Sequence, residues 1–217
     1  MSPGPDPAPG GSRLLELVEV MDRLRSGCPW DREQTHRSLA KYLLEESYET
    51  LEAIESGDRT HLREELGDLL LQVYFHARIA EEHDEEPFDI DDVAGGIVDK
   101  LVHRHPHVFA DGTAADADEV EASWELIKAA EKGRRSVLDG IPWNLPALAL
   151  ADKVVGRADR AGVPTAEANP AADRAEAVGD ELLALVRRAR SDGVDAEQAL
   201  RDAVRRLADQ VRTTETP

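Results

Sequence analysis

Apolar residues recur at helical spacing through most of the chain, and no segment shows the two-residue alternation of a strand. Leu14, Leu17, Val18, Met21 and Leu24 outline a first helix, with Ser12 as its N-cap and Ser26-Gly27-Cys28-Pro29 as its stop. A loop carrying Trp30 and Asp31 is expected next. A second helix is predicted from Leu39 to Ile54, with Leu43, Leu51 and Ile54 as its apolar positions and Ala40 and Ser47 as small neighbours. Gly57-Asp58 turns the chain into a third helix from His61 to His83, whose inward positions are Leu62, Leu66, Leu69, Leu70, Val73 and Ala77. Two long amphipathic helices joined by so short a turn form an antiparallel hairpin.

Asp89 reads as the N-cap of a fourth helix, with Asp91 and Asp92 in its first turn suiting the dipole. Val93, Ile97, Leu101 and Val102 form its apolar stripe, and Pro106 ends it. A polar stretch from Ala110 to Asp118 leads to a helix through Val120, Trp124, Ile127 and Lys128, closed by Gly133. Leu138 to Leu145 is a turn or linker, and a helix is predicted from Leu145 to Arg160. After an Ala/Pro-rich linker come two final helices, around Ala175–Arg190 and Asp195–Val211. The fold class is all-α, a helical bundle of antiparallel helix hairpins.

The segment richest in candidate chemistry is Glu45-Glu46-Ser47-Tyr48-Glu49, followed after the turn by Glu64-Glu65-Leu66-Gly67-Asp68. At about 100° per residue, positions i and i+3 share a face. Glu46 and Glu49 therefore sit together beside Leu43, and Glu65 and Asp68 repeat the arrangement beside Leu62 and Leu69. In an antiparallel pair both couples meet at one edge of the core. Four crowded carboxylates repel, and hard divalent cations relieve that repulsion; an all-oxygen donor set suits Mg²⁺ or Mn²⁺. The bland reading is a solvated acidic face, but these carboxylates adjoin the apolar stripe instead of opposing it.

Charge sharpens the picture. Across 217 residues Lys plus Arg number 26 and Asp plus Glu 45, a formal charge of −19, which repels polyanions and argues against stable nucleic-acid binding. Phosphate handling then needs a cation or a local basic patch. Lys100 and Arg104, one turn apart on the fourth helix, supply such a patch and read as a phosphate clamp. His103, His105 and His107 alternate around Pro106, which does not suit one helical face, and are read as capping or loop residues. Cys28 is the only cysteine, which excludes disulfide scaffolds and Cys-rich zinc sites, and it is read as structural. Trp30 is a candidate for base stacking. With no apolar run of membrane-spanning length and a Pro/Gly-rich beginning without an apolar signal core, a cytoplasmic protein without membrane association is expected.

Ordered blocks along the chain resemble the MazG-type nucleoside triphosphate pyrophosphohydrolases of the all-α NTP pyrophosphatase superfamily. They are Cys28-Pro29-Trp30-Asp31, Gln34-Thr35-His36, Ser38-Leu39, the E-E-x-x-E of residues 45–49 and the E-x-x-D of residues 65–68. Further blocks are Lys100 to Phe109, Trp124-Glu125 with Lys128, and Leu145-Pro146-Ala147-Leu148 followed by Lys153. The resemblance implies Mg²⁺-dependent hydrolysis of a nucleoside triphosphate to the monophosphate and pyrophosphate, serving to clean the nucleotide pool. It implies Glu46, Glu49, Glu65 and Asp68 as metal ligands and Glu45, Glu46 and Glu49 as catalytic residues. Lys100, Arg104, Trp30, Trp124 and Lys128 are its substrate-binding positions, and a homodimer completes the helical bundle. A dUTP- or modified-dNTP-selective pyrophosphatase and a non-catalytic acidic interaction module are the alternative readings.

The resemblance covers residues 12–163, flanked by a disordered tail over 1–11. A linker over 164–173 then leads to residues 174–212 and a short tail over 213–217. Residues 175–190 align with 63–78, Gly179-Asp180 matching Gly67-Asp68 and Leu182-Leu183 matching Leu70-Leu71. Ala177 stands where Glu65 stands, so the segment is expected to be a degenerate second hairpin that packs or dimerises without catalysing.

Overall fold

The computed structural model describes residues 11–110, 116, 119–120, 124, 127, 136–163 and 173–215, and every regular element among them is helical. In chain order these are α1 (Ser12–Gly27), α2 (Pro29–Glu33), α3 (His36–Ser56), α4 (Arg59–Ala80), α5 (Ile90–Arg104) and α6 (Pro106–Phe109), then α7 (Ala147–Arg160), α8 (Arg174–Ser191) and α9 (Ala196–Glu215). The chain divides into two compact units, Met1–Trp124 and Glu125–Pro217. The polar stretch before Trp124, the end of its helix at Gly133 and the linker over 164–172 fall largely outside the described residues.

In the first unit α3 and α4 form the expected hairpin. Its turn rests on two sequence features: Gly57 closes α3 at φ +72°, a left-handed conformation suited to glycine, and the Asp58 carboxylate accepts from the Thr60 and His61 amides at the start of α4. α3 begins three residues earlier than the apolar pattern suggests, because Thr35 and Ser38 form a reciprocal capping box. α1 begins differently from expectation. Gly11 holds its N-cap position, with no side-chain cap, and Ser12 is already helical. Trp30 and Asp31, expected in a loop, lie on the short helix α2, which Pro29 starts from its favoured first position. Asp89 caps α5 as expected, in a capping box with Asp92, and Pro106 ends that helix by opening α6.

The core brings together Met21 of α1, Leu39 of α3, and Tyr74 and Phe75 of α4. Leu17, Val18, Tyr42, Leu70, Leu71, Ile79 and Ile90 pack around them. Leu66 and Val73 on α4, expected inward, are instead exposed, and so are the apolar positions Leu51 and Ile54 on α3 and Val93, Ile97, Leu101 and Val102 on α5. The helices carry wider apolar arcs than one hairpin covers. The arc that α3 turns toward its neighbours runs through Leu39, Glu46, Thr50 and Ala53, leaving Leu51 and Ile54 to one side.

A charged clasp joins α1, α2 and α4. The buried Arg25 side chain donates to Glu82 through Nε at 2.8 Å and Nη2 at 2.7 Å, and through Nη1 to the carbonyls of Asp31 and Gln34. Arg78 donates to Asp22 and Glu82 beside it. At the open end of the α3–α4 hairpin the rings of His36 and His76 stack with their Nδ1 atoms 2.8 Å apart, so one donates and the other accepts. Burial first, and the neighbouring His36 second, hold the His76 imidazole below its ordinary pKa.

In the second unit α7, α8 and α9 pack on one another, so α7 groups with the last two helices although the sequence pattern attaches it to residues 12–163. Its buried residues are Val155, Gly156 and Ala158, with Val186 of α8 also buried. Gly156 marks a close approach: a Cβ there would lie 2.5 Å from Cζ of Arg190 and would displace that guanidinium, which pairs with Asp152 at 3.0 Å and Asp159 at 3.6 Å.

The Arg25 clasp makes the first unit's stability depend on acid. The Arg25 hydrogen bond is the main reason the Glu82 carboxyl titrates below the usual glutamate range. That contribution is present above the unfolded glutamate pKa and is lost as pH falls through the depressed folded value. Arg25→Ala is expected to destabilise the protein by roughly 2–3 kcal/mol at neutral pH, the scale of losing charge-assisted hydrogen bonds. Denaturant melts between about pH 3 and pH 7 should also show a shallower loss of stability on acidification in the variant.

Candidate metal centre

The α3–α4 hairpin fixes where the acidic residues meet. Thr50 of α3 is buried, and its hydroxyl donates to the backbone carbonyl of Glu65 on α4 at 3.4 Å. This tie sets the helices in register with the E-E-x-x-E block opposite the E-x-x-D block. One carboxylate oxygen each from Glu46, Glu49 and Glu65 lie within 4.8 Å of one another. Among the described residues this is the one group of three or more metal-ligating side chains brought so close. Glu65 is buried, Glu46 half-buried and Glu49 exposed, so the cluster forms a rim with one ligand sunk into the hairpin.

Asp68 is half-buried, one turn beyond Glu65. It lies outside the tight triad, yet among the surrounding charges it acts most strongly on Glu46. The Glu46 carboxyl is pushed above its ordinary pKa first by burial, then by Asp68, Glu49, Glu65 and, least, Glu45. Glu45 itself is exposed. The donor set is oxygen-only and strained by like charge, which fits a hard divalent ion such as Mg²⁺ or Mn²⁺.

The remaining expected site residues are distributed around the same unit. Trp30 stays 51% exposed, but Tyr42, edge-on at 6.1 Å between ring centroids, and Phe75 at 6.4 Å hold its ring. Tyr42 is one turn before Glu46 on α3, and the Lys41 ammonium lies 4.5 Å from the Tyr42 ring centroid. Lys100 is exposed on α5. Arg104, one turn on, is buried at 8% exposure, with its guanidinium 6.0 Å from the ring centroid of Trp124. Lys128 lies outside the described residues.

Two contributors escape the sequence pattern. Thr50 reads as a polar interruption of an apolar stripe, and only the pairing of two helices reveals its bond. His61 places Nε2 3.1 Å from Glu65 Oε1. Its signal was present as a histidine four residues before a glutamate, a spacing that puts both on one helix face.

The crowding has a measurable consequence. A carboxyl whose folded pKa is raised opposes folding as pH rises through that value, because the charged form is the disfavoured one. Without divalent cation, Glu46→Gln is therefore expected to raise the thermal midpoint at neutral pH and to leave it little changed well below the glutamate range. Mg²⁺ should stabilise the parent protein and not this variant; scanning calorimetry with and without EDTA reads both effects.

The chain's relatives bear on this geometry. A family model described as the MazG nucleotide pyrophosphohydrolase domain matches residues 34–109, the span from Gln34 through α6. A nucleoside triphosphate pyrophosphohydrolase of Escherichia coli (strain K12) is 44% identical over 88% of this chain and 74% of its own length. A protein of the same name from Mycobacterium tuberculosis is 48% identical over 94% of this chain, which spans 59% of that relative. An uncharacterized 26.1 kDa protein of Streptomyces cacaoi is 53% identical, over 94% of this chain and 84% of its own length. Relatedness of this degree, sustained over most of both chains in the Escherichia coli pair, means that the chain belongs to the MazG nucleotide pyrophosphohydrolase family.

Proposed function

We propose that this chain hydrolyses nucleoside triphosphates, ribo- or deoxyribo-, to the monophosphate and pyrophosphate in a Mg²⁺-dependent reaction that cleans the nucleotide pool. The observation that carries the reading is the convergence of Glu46, Glu49 and Glu65 across two helices, with Asp68 charge-coupled to Glu46. Two of the three relatives described above are named for this activity.

Glu46, Glu49, Glu65 and Asp68 hold the ion. When bound it supplies Lewis-acid neutralisation of the triphosphate and of the leaving pyrophosphate. The protein's own groups do the rest. Water adds to phosphorus as the bond to the pyrophosphate oxygen breaks, and a carboxylate of the Glu45, Glu46 and Glu49 set takes the water's proton. Lys100 and Arg104 bind phosphate oxygens, with Trp124 supporting Arg104, and Lys128 is a further substrate-binding cation. Trp30 stacks on the base, held at a fixed angle by Tyr42 and Phe75.

We further read the functional unit as a homodimer acting in the cytoplasm. Exposed Leu44, Tyr48, Leu51, Leu66 and Val73 form apolar surface on the same hairpin that carries the carboxylates, and a second copy of this hairpin is its natural cover. The helices after residue 173 are read as a degenerate second hairpin, Ala177 having replaced the equivalent of Glu65.

³¹P NMR of a mixed NTP and dNTP panel tests the reaction. Monophosphate and pyrophosphate are expected with Mg²⁺ and neither with EDTA. Glu49→Gln should lower kcat on the order of 100-fold, the scale of losing a group that stabilises transition-state charge. Turnover confined to dUTP or to one modified dNTP would favour the selective-enzyme reading. No turnover by a folded protein would favour the interaction module. Trp30→Ala should raise KM roughly 10-fold, in keeping with the loss of one stacked base, with a smaller effect on kcat.

A further inference from the structure

Glu65 differs from the other acidic residues of the cluster in being buried, at 8% exposure. A carboxylate sunk between helices is useful as a ligand only if its rotamer is fixed. The Thr50 hydroxyl holds the backbone beneath it by donating to the Glu65 carbonyl, and the side chain that meets its carboxylate is His61, with Nε2 3.1 Å from Oε1. His61 is itself anchored in the first turn of α4, where its amide donates to the Asp58 carboxylate.

We propose that His61 is a positioning residue of the metal centre: its Nε2, 3.1 Å from Glu65 Oε1, holds that carboxylate in the orientation that meets Glu46 and Glu49. The proposal rests on the cation-binding reading of the cluster. It does not depend on the charge of His61, because the Nε2–H tautomer of the neutral ring and the imidazolium both carry a proton at this atom. Outer-shell contacts of this kind orient ligands that are already committed to an ion, so their loss weakens metal binding without dismantling the site. The ring is 39% exposed at the helix surface, so its contribution to the fold is small and its contribution to the ligand can be read separately.

The test is a Mn²⁺ titration of the full-length protein followed by electron paramagnetic resonance, without nucleotide, alongside thermal melts. His61→Ala should weaken Mn²⁺ binding by about 10- to 100-fold, the range for lost outer-shell partners. His61→Gln, which retains a donor, should recover much of that affinity. His61→Ala should keep a melting temperature close to the parent's, and Glu49→Gln should abolish the bound signal. Mn²⁺ affinity unchanged in His61→Ala while Glu49→Gln removes binding would overturn the positioning role and leave the cation site standing. Equal weakening in His61→Ala and His61→Gln would also overturn it. No Mn²⁺ binding by the parent protein, or binding indifferent to Glu49→Gln, would overturn both readings.

Discussion

The α3–α4 pairing must accomplish two opposed things at one place. It has to bury enough surface to hold two long helices together, and it has to bring acidic side chains within a few ångströms of one another. Apolar contact among Leu39, Tyr74, Phe75 and Met21 does the first job toward the open end of the hairpin, where α1 lies against α4. The carboxylates occupy the stretch nearer the turn, where packing is thinner and Glu49 reaches solvent. The raised Glu46 carboxyl is the residue of that conflict.

The clasp around Arg25 solves a related problem for the first helices. α2 has only five residues, too few to be stable by its own hydrogen bonds. Arg25 captures two of its trailing carbonyls, at Asp31 and Gln34, while its other nitrogens engage Glu82 of the segment after α4. Trp30 is thereby presented at a defined angle although half its surface faces solvent. A side chain can be exposed and still be preorganised, provided its backbone is pinned from behind.

Much of this was legible from the sequence because the informative features were local. Helix identity, the Gly57-Asp58 turn and the Asp89 cap follow from spacing and capping chemistry within a few residues. The facing of two E-x-x-E/D blocks follows from hairpin geometry, which short turns make nearly obligatory. The misreadings were equally physical. Trp30 was placed in a loop because a five-residue helix leaves no periodic trace. Leu66 and Val73 are expected inward and lie exposed because periodicity reports that a face is apolar and not what covers it. Burial is equally silent in the pattern: Lys100 and Arg104 stand one turn apart as like cations, yet the fold leaves the first exposed and buries the second near Trp124. Thr50 and His61 both meet Glu65, one across the helix seam and one along the helix, and pattern alone gives a polar residue no reason to be singled out.

The left-handed Gly57 and its two-residue connection carry an implication for how relatives of this chain can diverge. The acidic cluster is assembled from both sides of that turn, so the turn length acts as a phase setting. Adding or removing one residue there rotates the start of α4 by about 100° relative to α3 and carries Glu65 and Asp68 away from Glu46 and Glu49. The segment between α4 and α5 joins elements without setting the phase of any ligand pair. Insertions and deletions are therefore expected to accumulate in that second connection and to be purged from the first, so that loop length, more than residue identity, becomes the record of which members of the lineage keep the acidic cluster assembled.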